Sequence, residues 1–387
     1  MKSFGSASAR MRGGASASLL LVIAGTRPEA IKLAPLIRAL APLRRADVLV
    51  VNSGQHGEAV RRTLAEFGLR TDLDLPDIPA MPNLGAAVNY LRAELAAVVA
   101  RWAPDVVIVQ GDTLSAYAGA LAANDVGHRV AHVEAGLRTE SASDPFPEEW
   151  FRRRIARVAD IHFAPTPAAV SNLLDEGVAP GAVHCTGNTG IDSLKWVLDE
   201  IGGVGLGGAD VDRSSVLVTL HRRENHDRNA DVVCRALLRL AAQRANLRWT
   251  LPVHPNPRVA APIRARLTDH PAFDLVAPMP YRDFIAHAAR AALIISDSGG
   301  IQEEAAHLGT PLLVPRANTE RPEGLATGFV QLVRTDEDAL VEAANAALDA
   351  PRRAPLPIDE HAPFGAGNAA AFIARILQSS FTTRRTA

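Results

Sequence analysis

Short apolar runs alternate with longer helical patterns along almost the whole chain. The first run, LLLVI at residues 19–23, is followed by polar turn residues and then by a helical pattern. Continuous apolar runs of this length are typical of strands buried on both faces of a parallel sheet. Further runs that predict strands lie at residues 48–51, 106–109, 129–133, 161–164, 215–220, 248–253, 273–277, 293–296 and 311–315.

Helical patterns fill the intervals between these runs, for example at residues 29–40, 83–102 and 115–124. The alternation predicts an α/β protein with parallel sheets and right-handed crossovers. A glycine-rich stretch at residues 202–208 breaks the rhythm, and a chain of 387 residues exceeds what one core usually serves. We therefore expect two doubly wound, Rossmann-like domains that face a central cleft, which is the default ligand site.

The same pattern gives the domain limits. We expect an N-terminal domain at residues 19–200, a linker at 201–210 and a C-terminal domain at 211–365. Residues 1–18 are rich in Ser, Ala, Gly and Arg, and residues 379–387 are equally polar, so both segments are expected to be disordered tails.

Composition argues against several classes of function. A net charge of −1 offers no basic surface for nucleic acid, and no apolar run is long enough to cross a membrane. The two cysteines, Cys185 and Cys234, lack the spacing of a zinc site or a disulfide framework and are best interpreted as small apolar residues. We expect a cytoplasmic protein with no metal, no nucleic-acid partner and no membrane partner.

The first polar motif, GTRPEAIK, begins at Gly25 directly after the first predicted strand. Glycine permits a tight turn, and the start of the following helix favours an anion. Arg27 adds donors that suit phosphate. An ordinary connection with a surface arginine explains this motif equally well.

Three carboxylates follow later strands: Asp112 in QGDT, Glu134 in HVEAGLR and Glu148 in PFPEE. Since Asp112 and Glu134 end neighbouring strands, we expect them to share a crevice that Glu148 reaches from its loop. Crowded carboxylates raise one another's pKa, as acid–base catalysis requires. The simpler interpretations are a helix N-cap for Asp112 and complementarity to the helix dipole for Glu148 and Glu149.

The second half of the chain carries the strongest motif, DSGGIQEE. Gly299 and Gly300 leave backbone N–H groups bare at the start of a helix, which predicts a pyrophosphate site, whereas a plain N-cap by Ser298 is the alternative. Glu304, one turn later, can accept from ribose hydroxyls. His221 in HRREN is a proton carrier, a phosphate donor or part of a charged turn. The absence of GxGxxG and Walker patterns disfavours a dinucleotide oxidoreductase.

Together, these motifs resemble those of the non-hydrolysing UDP-N-acetylglucosamine 2-epimerases over residues 19–377. The resemblance implies the two-domain fold shared with GT-B glycosyltransferases, with a C-terminal helix at residues 366–378 that packs back on the first domain. It also implies a homodimer and no cofactor. The motifs, in the family's order, are GTRPEAIKLAPLI, QGDT, HVEAGLRT, PFPEE, TGNTGID, HRREN, PVHPNP, SDSGGIQEEA and TERPE.

The resemblance further implies epimerisation at C2 of UDP-N-acetylglucosamine to UDP-N-acetylmannosamine through elimination of UDP, a 2-acetamidoglucal intermediate and re-addition. This chemistry needs two proton-handling groups and stabilisation of the leaving diphosphate. The residues that match catalytic positions are Asp112, Glu134, Glu148 and His221. Those that match substrate positions are Arg27, Lys32, Arg222, His254, Phe284, Ser298, Gly299, Gly300, Glu304 and Arg321, and those that match a regulatory site are Gln55 and His56.

The sequence departs from the family pattern at Phe151 and Gly57, and also at Asn83 near the residues that match the regulatory region. Phe151 stands where the family commonly has Asn, which we expect to remove a polar group beside the site, and Gly57 stands where bacterial members often have Arg. Three alternatives remain open. They are a hydrolysing 2-epimerase that releases N-acetylmannosamine and UDP, a GT-B-type glycosyltransferase, and a non-catalytic nucleotide-sugar binder.

Overall fold

The structure, a computed structural model, divides into two compact units. One unit runs to Ser193 and includes the segment from Phe364, and the other is Leu194–Pro363. The predicted domain limits and the cleft between the domains remain predictions. The described residues are 18–43, 46–139, 141, 144–202, 212–220, 228–253 and 257–382.

The described part of the first unit is built on a parallel sheet of seven strands. They are β1 (Ser18–Ala24), β2 (Ala46–Asn52), β3 (Leu73–Asp74), β4 (Val106–Gln110), β5 (Arg129–Val133), β6 (Ile161–Ala164) and β7 (Val183–Cys185). Their order across the sheet is β3-β2-β1-β4-β5-β6-β7, and every pair is parallel. Strands β4 and β6 are buried throughout, which explains why apolar residues dominate their sequences.

Helices connect these strands. They are α1 (Arg27–Leu40), α2 (Gly57–Glu66), α3 (Leu84–Trp102), α4 (Leu114–Asp125), α5 (Glu148–Ala156), α6 (Pro167–Asp175) and α7 (Thr189–Glu200). Local chemistry fixes where they begin: the Asn83 side chain accepts a hydrogen bond from the Ala86 N–H at the start of α3, and Pro28 occupies the first turn of α1. The boundary between the two units falls within α7.

The second unit has its own parallel sheet in its described residues. Its strands are β8 (Asp212–Thr219), β9 (Arg248–Pro252), β10 (Phe273–Val276), β11 (Ala291–Ser296), β12 (Leu312–Pro315) and β13 (Val330–Val333). The order is β10-β9-β8-β11-β12-β13. The connecting helices are α8 (Arg228–Gln243), α9 (Pro257–Leu267), α10 (Tyr281–Arg290), α11 (Gly299–Leu308), α12 (Pro322–Ala326) and α13 (Glu337–Asp349).

The last helix, α14 (Ala369–Thr382), packs against α1 in the first unit. The Asp192 carboxylate accepts hydrogen bonds from the backbone N–H groups of Ala369, at 3.1 Å, and Ala370, at 3.0 Å. It thereby satisfies two donors that a helix start leaves without an intrahelical partner. The helix extends to Thr382 and so into residues 379–387, which the sequence had predicted to be a tail.

The α/β class and the two Rossmann-like parallel sheets are confirmed. The N-terminal tail, apart from Ser18, and most of the linker at residues 201–210 lie outside the described residues. No helix among the described residues is long and apolar enough to cross a membrane.

Candidate active site

Glu134 is the centre of a buried polar cluster at the carboxyl end of β5. Its φ of 65° is left-handed, a conformation that is uncommon for a residue with a side chain and that is often found at functional sites. One carboxylate oxygen, Oε2, accepts hydrogen bonds from Lys32 Nζ, from Gln110 Nε2 at 3.1 Å and from Asn188 Nδ2 at 3.0 Å. Donors from three different segments therefore fix this carboxylate.

The Lys32–Glu134 ion pair is buried, with side chains that are 10% and 6% exposed. Breaking such a pair leaves an uncompensated buried charge and typically costs about 3–5 kcal/mol. The resemblance placed Lys32 on the phosphate side, whereas the structure shows its ammonium group on the proposed catalytic carboxylate. Asn188, from the TGNTGID motif, is a further member of the cluster that was not selected from the sequence.

Asp112 lies in the turn after β4, where Gly111 has a φ of 70°. Arg152 Nε donates a hydrogen bond to Asp112 Oδ2 at 2.7 Å, and the Asp112 side chain remains 30% exposed. The N-cap of α4 is Thr113, whose hydroxyl accepts from the Ala116 N–H. Asp112 is therefore not the helix cap, and the simpler interpretation of this residue is wrong.

The adjacent acids Glu148 and Glu149 occupy different environments at the start of α5. Glu149 is fully buried and accepts from Arg152 Nη1 at 2.5 Å and from the Thr139 N–H at 3.2 Å. Glu148 is partly exposed, and its carboxylate pairs with no cation in the part of the chain that the structure describes. Arg152 thus connects Glu149 to Asp112, while Glu148 is accessible for chemistry.

His132, the residue two positions before Glu134, also supports the turn of Asp112. Its Nε2 lies 2.7 Å from the Gly111 carbonyl oxygen, and because a carbonyl only accepts, Nε2 carries the proton. Burial lowers the pKa of His132 to about 4, and burial likewise lowers that of His162, its partner on β6, to about 4. His132 is therefore a neutral donor at physiological pH.

Glu29 is a buried acid that the sequence analysis did not select. It is 1% exposed, and burial raises its pKa to about 7. Its Oε1 accepts from the Thr113 hydroxyl at 2.8 Å, and its Oε2 accepts from the Gly25 N–H at 3.1 Å. Glu29 stands three residues after the N-cap Thr26, a spacing that predicts a contact with the backbone at the helix start but not one with the distant Thr113.

The β1–α1 turn approaches the start of α4 closely. A Cβ atom on Gly25 would lie 1.8 Å from Ser115 Oγ, so only glycine fits there. Gln55 Oε1 accepts from both the backbone N–H and the hydroxyl of Ser115, at 3.0 and 2.6 Å, while His56 is exposed. Arg27, the first residue of α1, is partly buried. The regulatory role of Gln55 and His56 stays a prediction.

Phe151 does not lie beside the site, contrary to the expectation from the sequence. It is 2% exposed and stacks on Tyr117, with ring centroids 4.8 Å apart and an interplanar angle of 25°. Trp150 packs edge-on against the same tyrosine. The phenylalanine therefore belongs to the apolar core of the first unit, because an aromatic cluster surrounds its position.

In the second unit, the start of α11 follows β11. The Ser298 side chain makes no capping hydrogen bond, so the interpretation as a plain helix cap is wrong. A Cβ atom on Gly300 would meet open space, whereas one on Gly299 would lie 2.7 Å from Arg321 Nη1. Backbone N–H groups of a first helical turn have no intrahelical partner, and this turn can therefore bind an anion.

Arg321 is held against this turn by a buried network. Its Nε donates to Glu303 Oε1 and its Nη1 donates to Glu320 Oε1, both at 2.5 Å. Glu320 also accepts from Arg316 Nη1 at 3.1 Å, and all four side chains are 5% exposed or less. Two acids balance two guanidinium groups, which fixes the position of Arg321 beside Gly299.

Glu304 is buried, and its Oε1 accepts a hydrogen bond from the Tyr281 hydroxyl at 2.6 Å. Phe284 lies partly buried on the same helix as Tyr281. The expected contacts of Glu304 with ribose and of Phe284 with uracil remain predictions.

Three of the predicted site residues, His221, Arg222 and His254, lie outside the described residues. Within the described ranges, no group of three or more His, Cys, Asp or Glu side chains is placed to hold a metal ion.

The chain is similar over most of its length to known proteins of one family. The family model described as UDP-N-acetylglucosamine 2-epimerase matches residues 38–378. The chain is 38% identical over 372 residues to the UDP-N-acetylglucosamine 2-epimerase of Escherichia coli K12, which covers 93% of this chain and 98% of that protein.

Solved structures agree with this sequence match. The UDP-GlcNAc 2-epimerase from Neisseria meningitidis bound to UDP-GlcNAc is 33% identical, with a TM-score of 0.86, over 93% of this chain and 100% of that one. The Methanocaldococcus jannaschii UDP-GlcNAc 2-epimerase in complex with UDP-GlcNAc and UDP is 32% identical, with a TM-score of 0.82, over 93% and 99%.

Proposed function

Because the chain belongs to the UDP-N-acetylglucosamine 2-epimerase family, we propose that it interconverts UDP-N-acetylglucosamine and UDP-N-acetylmannosamine without net hydrolysis. The observation that carries the proposal is the pair of carboxylates, Asp112 and Glu134, at the ends of adjacent strands β4 and β5. Each is bound by a basic side chain, Arg152 and Lys32 respectively. Carboxylates that are held in fixed positions are suited to proton transfer at a sugar carbon.

The proposed reaction is an elimination followed by an addition. A carboxylate removes the C2 proton, the C1–O bond breaks with its electron pair passing to UDP, and a C1–C2 double bond forms. The resulting 2-acetamidoglucal is then protonated at C2 on the opposite face, and the diphosphate oxygen bonds again to C1. No atom is gained or lost, so the net change is the configuration at C2.

We assign the proton transfers to Asp112, Glu134, Glu148 and His221, without dividing the two faces of the sugar among them. Charge that develops on the leaving diphosphate needs donors that are already in position. The first turn of α11 and Arg321 are such donors in the second unit. Arg27, at the first turn of α1, is a cation of the same kind in the first unit.

The first experiment is incubation with UDP-N-acetylglucosamine in deuterated buffer, followed by proton NMR at C2. We expect loss of the C2 proton signal together with the appearance of UDP-N-acetylmannosamine. Accumulation of free N-acetylmannosamine with stoichiometric UDP would instead identify a hydrolysing enzyme. Transfer of the sugar to an added acceptor without C2 exchange would identify a glycosyltransferase. We also propose a homodimer, which light scattering coupled to size-exclusion chromatography tests directly.

A further inference from the structure

Glu29 joins two turns of the first unit that are far apart in sequence. One carboxylate oxygen accepts from the Gly25 N–H at 3.1 Å, and the other accepts from the Thr113 hydroxyl at 2.8 Å. The first turn leads into Arg27 and the second contains Asp112. A single buried carboxyl group therefore sets the spacing between a proposed diphosphate-binding residue and a proposed catalytic residue.

The turn that contains Asp112 is held by hydrogen bonds to three other elements of the first unit. Each of its three residues is held by a different element: Gly111 O by His132 of β5, Asp112 by Arg152 of α5, and Thr113 by Glu29 of α1. Glu29 is the support that accepts hydrogen bonds from both Gly25 and Thr113. It therefore connects the turn of Asp112 to the β1–α1 turn.

We propose that Glu29 is a positioning residue for C2 epimerisation, which holds the Asp112 carboxylate in register with the β1–α1 turn. This inference rests on the proposed function. Glu29 acts through Gly25 and Thr113 and does not itself exchange a proton with the sugar. Misplacement of a reacting group by about 1 Å can lower a rate by about 100-fold, so a positioning role has a measurable consequence.

Both protonation states of Glu29 preserve the link. The ionised carboxylate accepts from both Gly25 and Thr113, as the distances show. The protonated group donates from one oxygen to the Thr113 hydroxyl and still accepts from the Gly25 N–H with the other. Glutamine offers the same donor and acceptor as the protonated acid, whereas leucine fills similar space and offers neither.

The test compares kinetics of Glu29→Leu and Glu29→Gln with UDP-N-acetylglucosamine. We expect Glu29→Leu to lower kcat for C2 exchange by about 100-fold with little change in KM, and Glu29→Gln to restore most of the loss. Equal loss in both variants would show that the carboxylate is needed for its own chemistry. Full activity of Glu29→Leu would show that the link is dispensable. Either result would overturn the inference.

A second pair of variants tests the same bond from the other side, should Glu29→Leu fail to fold. Thr113→Ala removes the hydroxyl and should lower kcat, and Thr113→Ser should restore it. Asp160→Ala is the matched control, because Asp160 accepts from the Val130 N–H at 2.8 Å in the same sheet, at the start of its strand and away from these turns. It should leave kcat unchanged.

Amide hydrogen exchange at Gly25 reports the link without any assay of activity. We expect this N–H to be protected in the wild type and in Glu29→Gln and to lose its protection in Glu29→Leu. Wild-type protein that fails to exchange the C2 proton would contradict the proposed function. Wild-type protein with an unprotected Gly25 amide would contradict the link. The two failures are therefore distinguishable.

Discussion

The two units present opposite kinds of polar group at the carboxyl ends of their strands. In the first unit, the groups are carboxylates, Asp112 and Glu134. In the second, they are the backbone N–H groups at the start of α11 and the guanidinium group of Arg321. Acids in fixed positions suit proton transfer, and bare donors suit anion binding. The same architecture thus carries two chemistries, which the residues after each strand select.

The side chains that hold these groups in place also carry opposite charges in the two units. Buried cations, Lys32 and Arg152, hold the acids of the first unit, whereas buried acids, Glu303 and Glu320, hold Arg321 in the second. In each unit, buried side chains of opposite charge therefore hold the charged groups that are proposed to act on the substrate. Substitutions of these acids in the first unit should therefore change the rate, and substitutions in the α11 turn or at Arg321 should change binding of the diphosphate.

The largest expected effect is on catalysis. Asp112→Asn keeps the shape of the side chain and an acceptor for Arg152, but an amide cannot take a proton. We expect kcat for C2 exchange to fall by about 1000-fold, with the Kd for UDP unchanged. NMR exchange rates and calorimetric titration with UDP measure the two quantities.

Asp125→Asn is the control for this prediction, because Asp125 is paired with Arg92 at the far end of α4. It should retain the wild-type rate. An Asp112→Asn protein that exchanges C2 at the wild-type rate would remove Asp112 from the proposed mechanism.

The next largest effect tests whether Phe151 belongs to the apolar core of the first unit or to the candidate active site. Phe151→Asn introduces the residue that the family commonly has, but it places an amide in the aromatic cluster with Tyr117 and Trp150. We expect the free energy of unfolding to fall by about 3 kcal/mol, as measured by urea titration, with no gain in kcat. A faster, equally stable variant would mean that Phe151 faces the site after all.

The fold was predictable to the extent that buried strands show apolar runs. Runs such as residues 106–109 and 161–164 coincide closely with β4 and β6, because apolar residues dominate strands that are covered on both faces, with the buried His162 as an exception. Three strands were missed: β3, β7 and β13. Each is short, and β3 and β7 at the sheet edge have no fully buried residue, so there was no apolar run to detect.

The positions of Asp112 and Glu134 at the ends of neighbouring strands were predictable, because each follows an apolar run in the sequence. The supporting residues were not, because their partners are distant in sequence: Glu29 contacts Thr113, and Asn188 contacts Glu134. The sequence also did not predict that Phe151 points into the core, because the orientation of a helical side chain depends on the elements that pack against the helix.

A smaller effect concerns the pH dependence of stability. Burial raises the pKa of Glu29 to about 7 in the folded protein, so the folded state binds its proton more tightly than the unfolded state does. Stability from this group is fully present below the pKa of the unfolded chain and is lost as the pH rises through about 7. From about pH 5 to about pH 8, the loss should be on the order of 2 kcal/mol.

Glu29→Gln should remove this part of the pH dependence, because glutamine does not titrate. The difference in unfolding free energy between Glu29→Gln and wild type should therefore grow in favour of the variant over the same interval. Parallel curves for the two proteins would show that Glu29 titrates normally. Glu58→Gln is the control: hydrogen bonds from Arg61 and Arg62 lower the pKa of Glu58, so it stays charged from about pH 5 to about pH 8 and its removal should leave the shape of the curve unchanged there.

The smallest effect is predicted for Gly300→Ala in the second unit, where stability should rise while affinity for UDP falls. In Gly300→Ala, the new methyl group meets open space, so the unliganded protein should gain up to about 1 kcal/mol of stability. The same methyl group would occupy the approach of a phosphate to the first turn of α11, so the Kd for UDP should rise about tenfold, or about 1.4 kcal/mol. Gly299→Ala is the matched variant and should lose both stability and affinity, because its methyl group meets Arg321. A Gly300→Ala protein that is more stable and binds UDP as tightly as wild type would place the diphosphate elsewhere, and the contrast between the two units would then lose its anion-binding half.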